Sequence, residues 1–308
     1  MRLILCGKGT AAAEALEYLV AQGDEVWAIA TAGDQGEDGW QRSYRRAALD
    51  LGVRVDQPPK INAPDVVRRL QEFGASALLS IQYDQILHGN LFRSVGCPCL
   101  NLHFALLPRH RGVAPIAWAI LAGDAEAGVT LHHMVEDIDA GDIIARRAVP
   151  IPPDGTARDL YDDVSRAAVA LFEESYPFSP ELLATRLHQA SGQAVYHRTG
   201  EFDFSKRRVD WNQPADALHR WVRAMIFPPM QYPEAATNGR LLSITRLAGA
   251  LGDVTSAHPG VVVGRFRGGV EVAAADRSLR ICGMIDPAAP DASAEHVLDS
   301  LAVGDQLE

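Results

Sequence analysis

The residue types best suited to chemistry gather in one short run, Cys97 to Phe104 (CPCLNLHF). Alternate side chains of a strand face opposite ways, so Asn101 and His103 share a face. Both are polar within an otherwise apolar strand, where a buried polar group without a partner costs roughly 1–3 kcal/mol. An imidazole can move protons, and a carboxamide N–H can stabilise a developing negative oxygen. Either residue alone has a structural explanation. Two on one face, followed at once by the basic turn Arg109-His110-Arg111-Gly112, point to a site. An imidazole also needs a third group to orient it. Asp139, in Asp139-Ala140-Gly141-Asp142, is the candidate, although Asp before Ala-Gly equally suits a tight turn.

The elements that must position these groups read as an α/β fold. Arg2 to Cys6 is a strand, Gly7-Lys8-Gly9 a turn, Ala11 to Ala21 a helix and Asp24 to Thr31 a second strand, which is how a parallel sheet begins. Further helices are expected at Gln41–Gly52, Val66–Phe73, Ala114–Leu121, Thr156–Tyr176 and Ser179–Gln189. Further strands are expected at Val53–Gln57, Ala77–Ile81, Cys97–Phe104, Gly128–Val135 and Asp142–Ile151. Open α/β sheets take their ligands at the carboxyl ends of strands, which is where Asn101 and His103 fall. After a helix at Pro214–Met225 the pattern changes to short strands at Leu241–Arg246, Gly260–Phe266, Gly269–Ala274 and Ser278–Cys282, with Asn238-Gly239 as a hairpin signal. That spacing predicts a small antiparallel barrel. The boundary is placed in the polar stretch Arg198 to Arg208, and the acidic, Ala-rich tail after Pro287 holds a short strand or helix.

Other chemistries are weaker. Gly7-Lys8-Gly9-Thr10-Ala11-Ala12 fits a loose G-x-G-x-x-[GA] pattern, which holds a dinucleotide pyrophosphate or simply makes a tight strand-to-helix turn. A ribose-binding acid is wanted at the end of the second strand, yet Asp34 arrives only after Ala30-Thr31-Ala32-Gly33. The plain turn is preferred, with an NAD(P)-dependent oxidoreductase as an alternative. Cys6, Cys97, Cys99 and Cys282 make no disulfide framework, and Cys97-Pro98-Cys99 lacks zinc spacing and a second pair. His132 and His133 face opposite ways on a strand and cannot readily share one ion, so the pair is assigned a structural role and no metal is expected. A composition of 47% hydrophobic and 22% charged residues is that of a globular chain. Thirty-nine acidic against 29 basic residues give a net charge of -10, which disfavours broad binding to phosphate backbones. The absence of a signal peptide or long apolar run leads to the expectation of a cytoplasmic protein off the membrane.

Asn101-Leu102-His103, Leu107-Pro108-x-x-Arg111-Gly112-x-Ala114-Pro115, Gly128-Val129-Thr130 and Asp139-Ala140-Gly141, in this order, resemble the signature of the 10-formyltetrahydrofolate-dependent formyltransferases. Val209-Asp210-Trp211 and the helix and hairpin after it look like that family's carboxyl-terminal OB-like domain. The resemblance is greatest to enzymes acting on UDP-linked aminoarabinose, then to methionyl-tRNA formyltransferases. It implies a Rossmann-like, mostly parallel sheet domain over residues 1–200 and a small OB-like β-barrel domain over 205–308. It implies 10-formyltetrahydrofolate as co-substrate, with its pterin held by backbone groups of Gln85-Ile86-Leu87 and Val135-Glu136-Asp137-Ile138. Asn101 becomes the oxyanion donor, His103 the general acid or base, and Asp139 the group that favours the charged imidazole and orders a relay water. Tyr83 reads as core.

The acceptor is a separate question. Val113 stands where the aminoarabinose enzymes carry an arginine. The methionyl-tRNA enzymes carry a basic loop after the second strand, whereas Thr31 to Gly39 here holds three acids and no base. A tRNA-facing stripe could still come from Lys206, Arg207, Arg208, Arg220, Arg223, Arg240, Arg246, Arg265 and Arg267. The expected acceptor is a small-molecule amine, first a nucleotide-linked amino sugar, with Arg109 and Arg111 as phosphate partners. Methionyl-tRNA is the alternative, a formyltetrahydrofolate hydrolase another, and a homodimer stays open.

Overall fold

The computed structural model describes residues 1–308, the side chain of Ser191 excepted. The chain divides into two compact units. One comprises Met1–Pro115, Ala127–Val149 and Asp163–Arg198, and the other Ile116–Glu126, Pro150–Asp162 and Thr199–Glu308. The second unit thus includes two earlier stretches that a single cut between 198 and 208 leaves out.

The first unit opens with alternating strands and helices: β1 (Arg2–Gly7), α1 (Gly9–Ala21), β2 (Glu25–Ala30), α2 (Tyr44–Asp50), β3 (Arg54–Asp56), α3 (Pro64–Phe73), β4 (Ala77–Ile81), α4 (Gly89–Val95) and β5 (Cys99–His103). The chain continues through β6 (Arg111–Gly112), α5 (Pro115–Ala122), β7 (Glu126–His133), β8 (Ile143–Pro150), α6 (Ala157–Ser175), α7 (Pro180–Leu183) and β9 (Tyr196–His197). Seven strands form one sheet in the order β3-β2-β1-β4-β5-β7-β8. Strands β1 to β5 pair in parallel, and β7 runs antiparallel to β5. After one exposed first residue, β1 and β2 are buried throughout, which is why they read as unbroken apolar runs. Small residues let α1 lie close to the sheet: a Cβ on Gly7 would meet Ala12 Cβ at 2.6 Å. The fold is the expected Rossmann-like one.

Three local features differ from the sequence expectation. α4 and the two-stranded parallel ribbon β6–β9 were not anticipated. The helix expected over Ser179–Gln189 is only the four-residue α7, capped by the Ser179 side chain on the Leu182 amide. Beyond it, Leu187 exchanges both backbone hydrogen bonds with Ile143, at 2.9 and 3.1 Å. Glu-Leu-Leu-Ala-Thr-Arg-Leu favours a helix locally, but pairing with the sheet edge overrides that propensity.

The second unit contains α8 (Ala215–Met225), β10 (Glu234–Thr237), β11 (Arg240–Leu247), β12 (Val262–Phe266), β13 (Gly269–Ala273), β14 (Ser278–Ile285) and α9 (Ala294–Asp299). Its strands form a curled antiparallel sheet in the order β10-β11-β14-β13-β12, the small barrel-like domain expected. Asn238 and Gly239 have φ of 49° and 75°, the paired positive values a two-residue hairpin requires. Trp211, Leu218, Val222, Ile244, Val270 and Ile281 belong to its core. The chain end covers the open edge of β12, where Val262 N–H donates to Asp305 O at 2.8 Å. Among the described residues, no helix is long and apolar enough to cross a membrane.

Candidate active site

Strand β5 ends in the middle of the large sheet, and its last residues carry the site. Asn101 lies opposite His132 of β7, and His103 lies opposite Thr130. That register puts Asn101, His103, Thr130 and His132 on one face. Thr130 Oγ1 accepts from the Leu107 amide at 3.1 Å and donates to Ala105 O at 2.6 Å, which fixes the turn leaving β5. The turn between β7 and β8 then returns Asp139 to the same spot. Asp139 has φ 53°, a left-handed conformation uncommon for a residue with a Cβ.

The Asp139 carboxylate is the hub. Its Oδ2 lies 3.5 Å from His103 Nδ1 and accepts from the Gly112 amide at 2.8 Å. Its Oδ1 lies 3.5 Å from His132 Nε2 and accepts from Asn101 Nδ2 at 3.3 Å. The side chains of His103 and Asp139 are about nine-tenths buried. Burial opposes ionisation of Asp139, but the imidazoles of His103 and His132 close by and the hydrogen bond from the Gly112 amide outweigh it. The carboxyl is held well below its ordinary range.

Two peptide carbonyls fix the proton positions. His103 Nε2 lies 2.9 Å from His110 O, and His132 Nδ1 lies 2.8 Å from His133 O. A carbonyl only accepts, so each of these nitrogens carries hydrogen. The other nitrogen of each ring faces Asp139. Asn101 Nδ2 also reaches His132 Nε2 at 3.2 Å, so its two hydrogens point at a carboxylate oxygen and at a ring nitrogen.

The first loop proposed to hold a pterin runs into a helix whose start lies against the second. A Cβ on Gly89 would meet Glu136 Cδ at 3.2 Å, so the segment after Leu87 touches the loop Val135 to Ile138. Gln85 is held by Ile61 N–H, which donates to its Oε1 at 2.8 Å, and by its own Nε2, which donates to Pro58 O at 2.9 Å. Asn62 Nδ2 donates to Ile86 O at 2.8 Å. Leu87 is buried, Ile138 half-buried, and Ile86, Val135, Glu136 and Asp137 are exposed. A cavity of about 440 Å³ lies beside the first loop, lined by Lys60, Asn62, Asp84, Gln85, Ile86 and His88 among others. Arg109 and Val113 are exposed, whereas Arg111 donates from Nε and Nη2 to Gln189 Oε1 at 2.9 and 2.7 Å. At the glycine turn, a Cβ on Gly9 would strike Gln41 Oε1 at 2.0 Å. The Gln41 side chain thus covers the turn a pyrophosphate would need.

Residues 7–175 match the formyl transferase family, and residues 203–300 match the formyl transferase C-terminal domain. The chain belongs to the formyl transferase family. N-formyl transfer is its chemistry. This formyltransferase is 34% identical to methionyl-tRNA formyltransferase of Thiobacillus denitrificans over 277 residues, 89% of this chain and 88% of that one. It is 33% identical to methionyl-tRNA formyltransferase of Symbiobacterium thermophilum, over 91% of this chain and 86% of that one. In fold it is similar to WlaRD, a sugar 3N-formyl transferase solved with dTDP and 5-N-formyl-THF, with a TM-score of 0.72 at 23% identity over 91% of this chain and 96% of that chain. It is also similar to the N-formyltransferase of Helicobacter canadensis, solved with folinic acid and dTDP-3-aminofucose, with a TM-score of 0.70 at 23% identity over 91% and 97%.

Sequence reasoning on the formyltransferase gave His132 a structural role, and the structure sets it beside Asn101 and Asp139. Alternation shows that His132 and His133 diverge, but not which of them meets Asn101. The antiparallel register of β5 with β7 decides that, and no local signal carries it. Also missed was the stacked pair of His110 and His197, with Nδ1 of the first 3.0 Å from Nε2 of the second. It joins the ribbon β6–β9 next to the carbonyl that holds His103.

Proposed function

We propose that this formyltransferase moves a formyl group from 10-formyltetrahydrofolate to the amine of a small molecule, a nucleotide-linked amino sugar being the first choice. The observation that carries the reading is the Asp139 carboxylate set among His103, Asn101 and His132 at the carboxyl end of β5. The folate compounds bound by WlaRD and by the Helicobacter canadensis enzyme support the choice of donor. A neutral amine attacks the formyl carbon, the carbon–N10 bond breaks, the amine loses one proton and N10 gains one. Asn101 donates to the tetrahedral oxyanion. For that it releases one hydrogen from Asp139 or His132, and a proton on His132 Nε2 would take over the bond to Asp139 and free it. His103, facing Asp139, carries the proton on its way to N10.

Charge supports a small acceptor. The loop after β2 closes on its own acids: Asp34 accepts from the Gly36 amide, Ser43 Oγ and the Arg45 amide, and Asp38 accepts from the Ser43 amide. Glu37 is exposed, and no base extends from residues 31–39. Most of the basic candidates in the second unit are matched by carboxylates: Arg207 by Glu234, Arg220 by Asp216, Arg240 by Asp286, Arg246 by Asp154 and Arg265 by Asp299. Arg223 is turned inward to Pro152 O and Gly155 O. A phosphate backbone would meet little unmatched positive charge there. The phosphate partners proposed for the sugar nucleotide are Arg109, which is exposed, and Arg111, whose guanidinium also donates to Gln189.

Methionyl-tRNA is the second reading, favoured by relatives of that specificity at 33–34% identity over about nine-tenths of the chain. The deciding experiment offers 10-formyltetrahydrofolate with amino-sugar nucleotides, amino acids or charged initiator tRNA. It reads the gain of one formyl mass on the acceptor. Formylated tRNA with untouched sugar nucleotides would reverse the choice of acceptor. Free formate released without any amine would make the protein a hydrolase.

A further inference from the structure

Gln189 lies far from the motif residues in sequence, yet it uses its whole hydrogen-bonding capacity around them. Its Nε2 donates to Asp139 O at 2.8 Å and to Gly141 O at 2.7 Å. Its Oε1 accepts from Nε and Nη2 of Arg111. Both amide hydrogens therefore hold the turn that carries the catalytic carboxylate. The oxygen holds the strand whose next residue, Gly112, donates to that carboxylate. Gln189 thus braces both sides of the contact between Gly112 and Asp139.

The turn needs such a brace. A left-handed residue with a Cβ costs about 1–2 kcal/mol, so Asp139 at φ 53° persists only where its surroundings impose that conformation. The turn is also wedged closely against β7, since a Cβ on Gly141 would lie 1.8 Å from His133 O. Gln189 reaches the turn because the chain abandons its helix after Leu183 and pairs Leu187 with Ile143. Two donors and a double acceptor on one side chain are the property of a carboxamide. A carboxylate at this position would keep Arg111 and repel both carbonyls.

We propose that Gln189 is a positioning residue for formyl transfer, acting through Asp139. This rests on the reading of Asn101, His103 and Asp139 given above. Removing the brace lets the turn relax, and a displacement of about 1 Å at a reacting group can cost about 10²-fold in rate.

The test compares Gln189→Leu, Gln189→Glu, Asp139→Asn and the double variant Gln189→Leu/Asp139→Asn, using 10-formyltetrahydrofolate and the amine that turns over in the screen. Both Gln189 variants should lower kcat by about 10–10²-fold and leave the KM for the donor unchanged. The double variant should be no slower than Asp139→Asn alone, because the brace acts only through the carboxylate. Thermal melting shows which variants fold, and Gln189→Glu, which keeps the volume and the Arg111 pair, decides if Gln189→Leu does not. Wild-type turnover in a folded Gln189 variant, with Asp139→Asn inactive, overturns the proposal alone. Multiplying losses in the double variant overturn it too. Wild-type turnover in Asp139→Asn removes the reading of the centre and the brace together.

Discussion

Replacing Asp139 by asparagine keeps the shape of the side chain and removes its charge. The carboxylate lies 3.5 Å from a nitrogen of His103 and 3.5 Å from a nitrogen of His132. At an effective dielectric of about 20, a unit charge at that distance attracts an imidazolium by about 5 kcal/mol. Losing that attraction where the imidazolium forms corresponds to roughly 10³–10⁴ in rate. The amide offers no escape by rotation. With its NH2 toward Gly112 it opposes an amide N–H that now donates at 2.8 Å, and with its NH2 toward Asn101 it opposes the Asn101 Nδ2 donor. The assay is a single-turnover measurement at saturating donor and acceptor, following conversion of 10-formyltetrahydrofolate to tetrahydrofolate. Melting curves check that the variant is folded. A folded Asp139→Asn protein within tenfold of the wild-type rate, a loss of no more than about 1.4 kcal/mol, would refute the reasoning.

Asn101→Ala should stay folded and lose about 10²–10³ in kcat, the usual cost of one oxyanion donor. Steady-state kinetics beside circular dichroism checks it. Asp139 also predicts a pH effect on stability. Its folded pKa is depressed below the ordinary 3.8, so the unfolded chain binds the proton more readily. Its contribution is full above the unfolded value and is lost as pH falls through the folded one. The gap in melting temperature between wild type and Asp139→Asn should therefore be constant near neutrality and shrink below about pH 4. Gly141→Ala should lower both stability and turnover, because its Cβ would collide with His133 O, and activity after thermal challenge reads both. Turnover of the small acceptor should change little with salt, whereas a tRNA reaction should fall steeply as salt rises.

Much of the site was legible because it rests on local geometry. Alternation along one strand put Asn101 and His103 on a face, whereas the glycine after Asp139-Ala140 marked only a turn, and the family resemblance alone tied its carboxylate to His103. The Asn238-Gly239 hairpin was legible from local geometry as well. What escaped depends on pairing between distant segments. His132 joins Asn101 through strand register, and register is written in no single strand. Gln189 was read as the end of a helix because every neighbour favours one. Only the hydrogen bonds of Leu187 with Ile143, and those of Gln189 with the Asp139 turn, draw the chain out of that conformation. Arg111 was read as a phosphate partner from its charge, and its engagement by Gln189 lies 78 positions away.

The paired carbonyl contacts of His103 and His132 have a consequence for charge balance. Each ring has one nitrogen committed to a peptide oxygen, so each has a single vacancy for a proton, and both vacancies look at the same carboxylate. With both vacancies empty, the trio of Asp139, His103 and His132 carries one negative charge. With one filled it is neutral, and with both filled it is positive. If formyl transfer runs as proposed, a hydrogen ion taken from the incoming nitrogen turns the trio from one negative charge to none, and its passage to the departing nitrogen restores that charge.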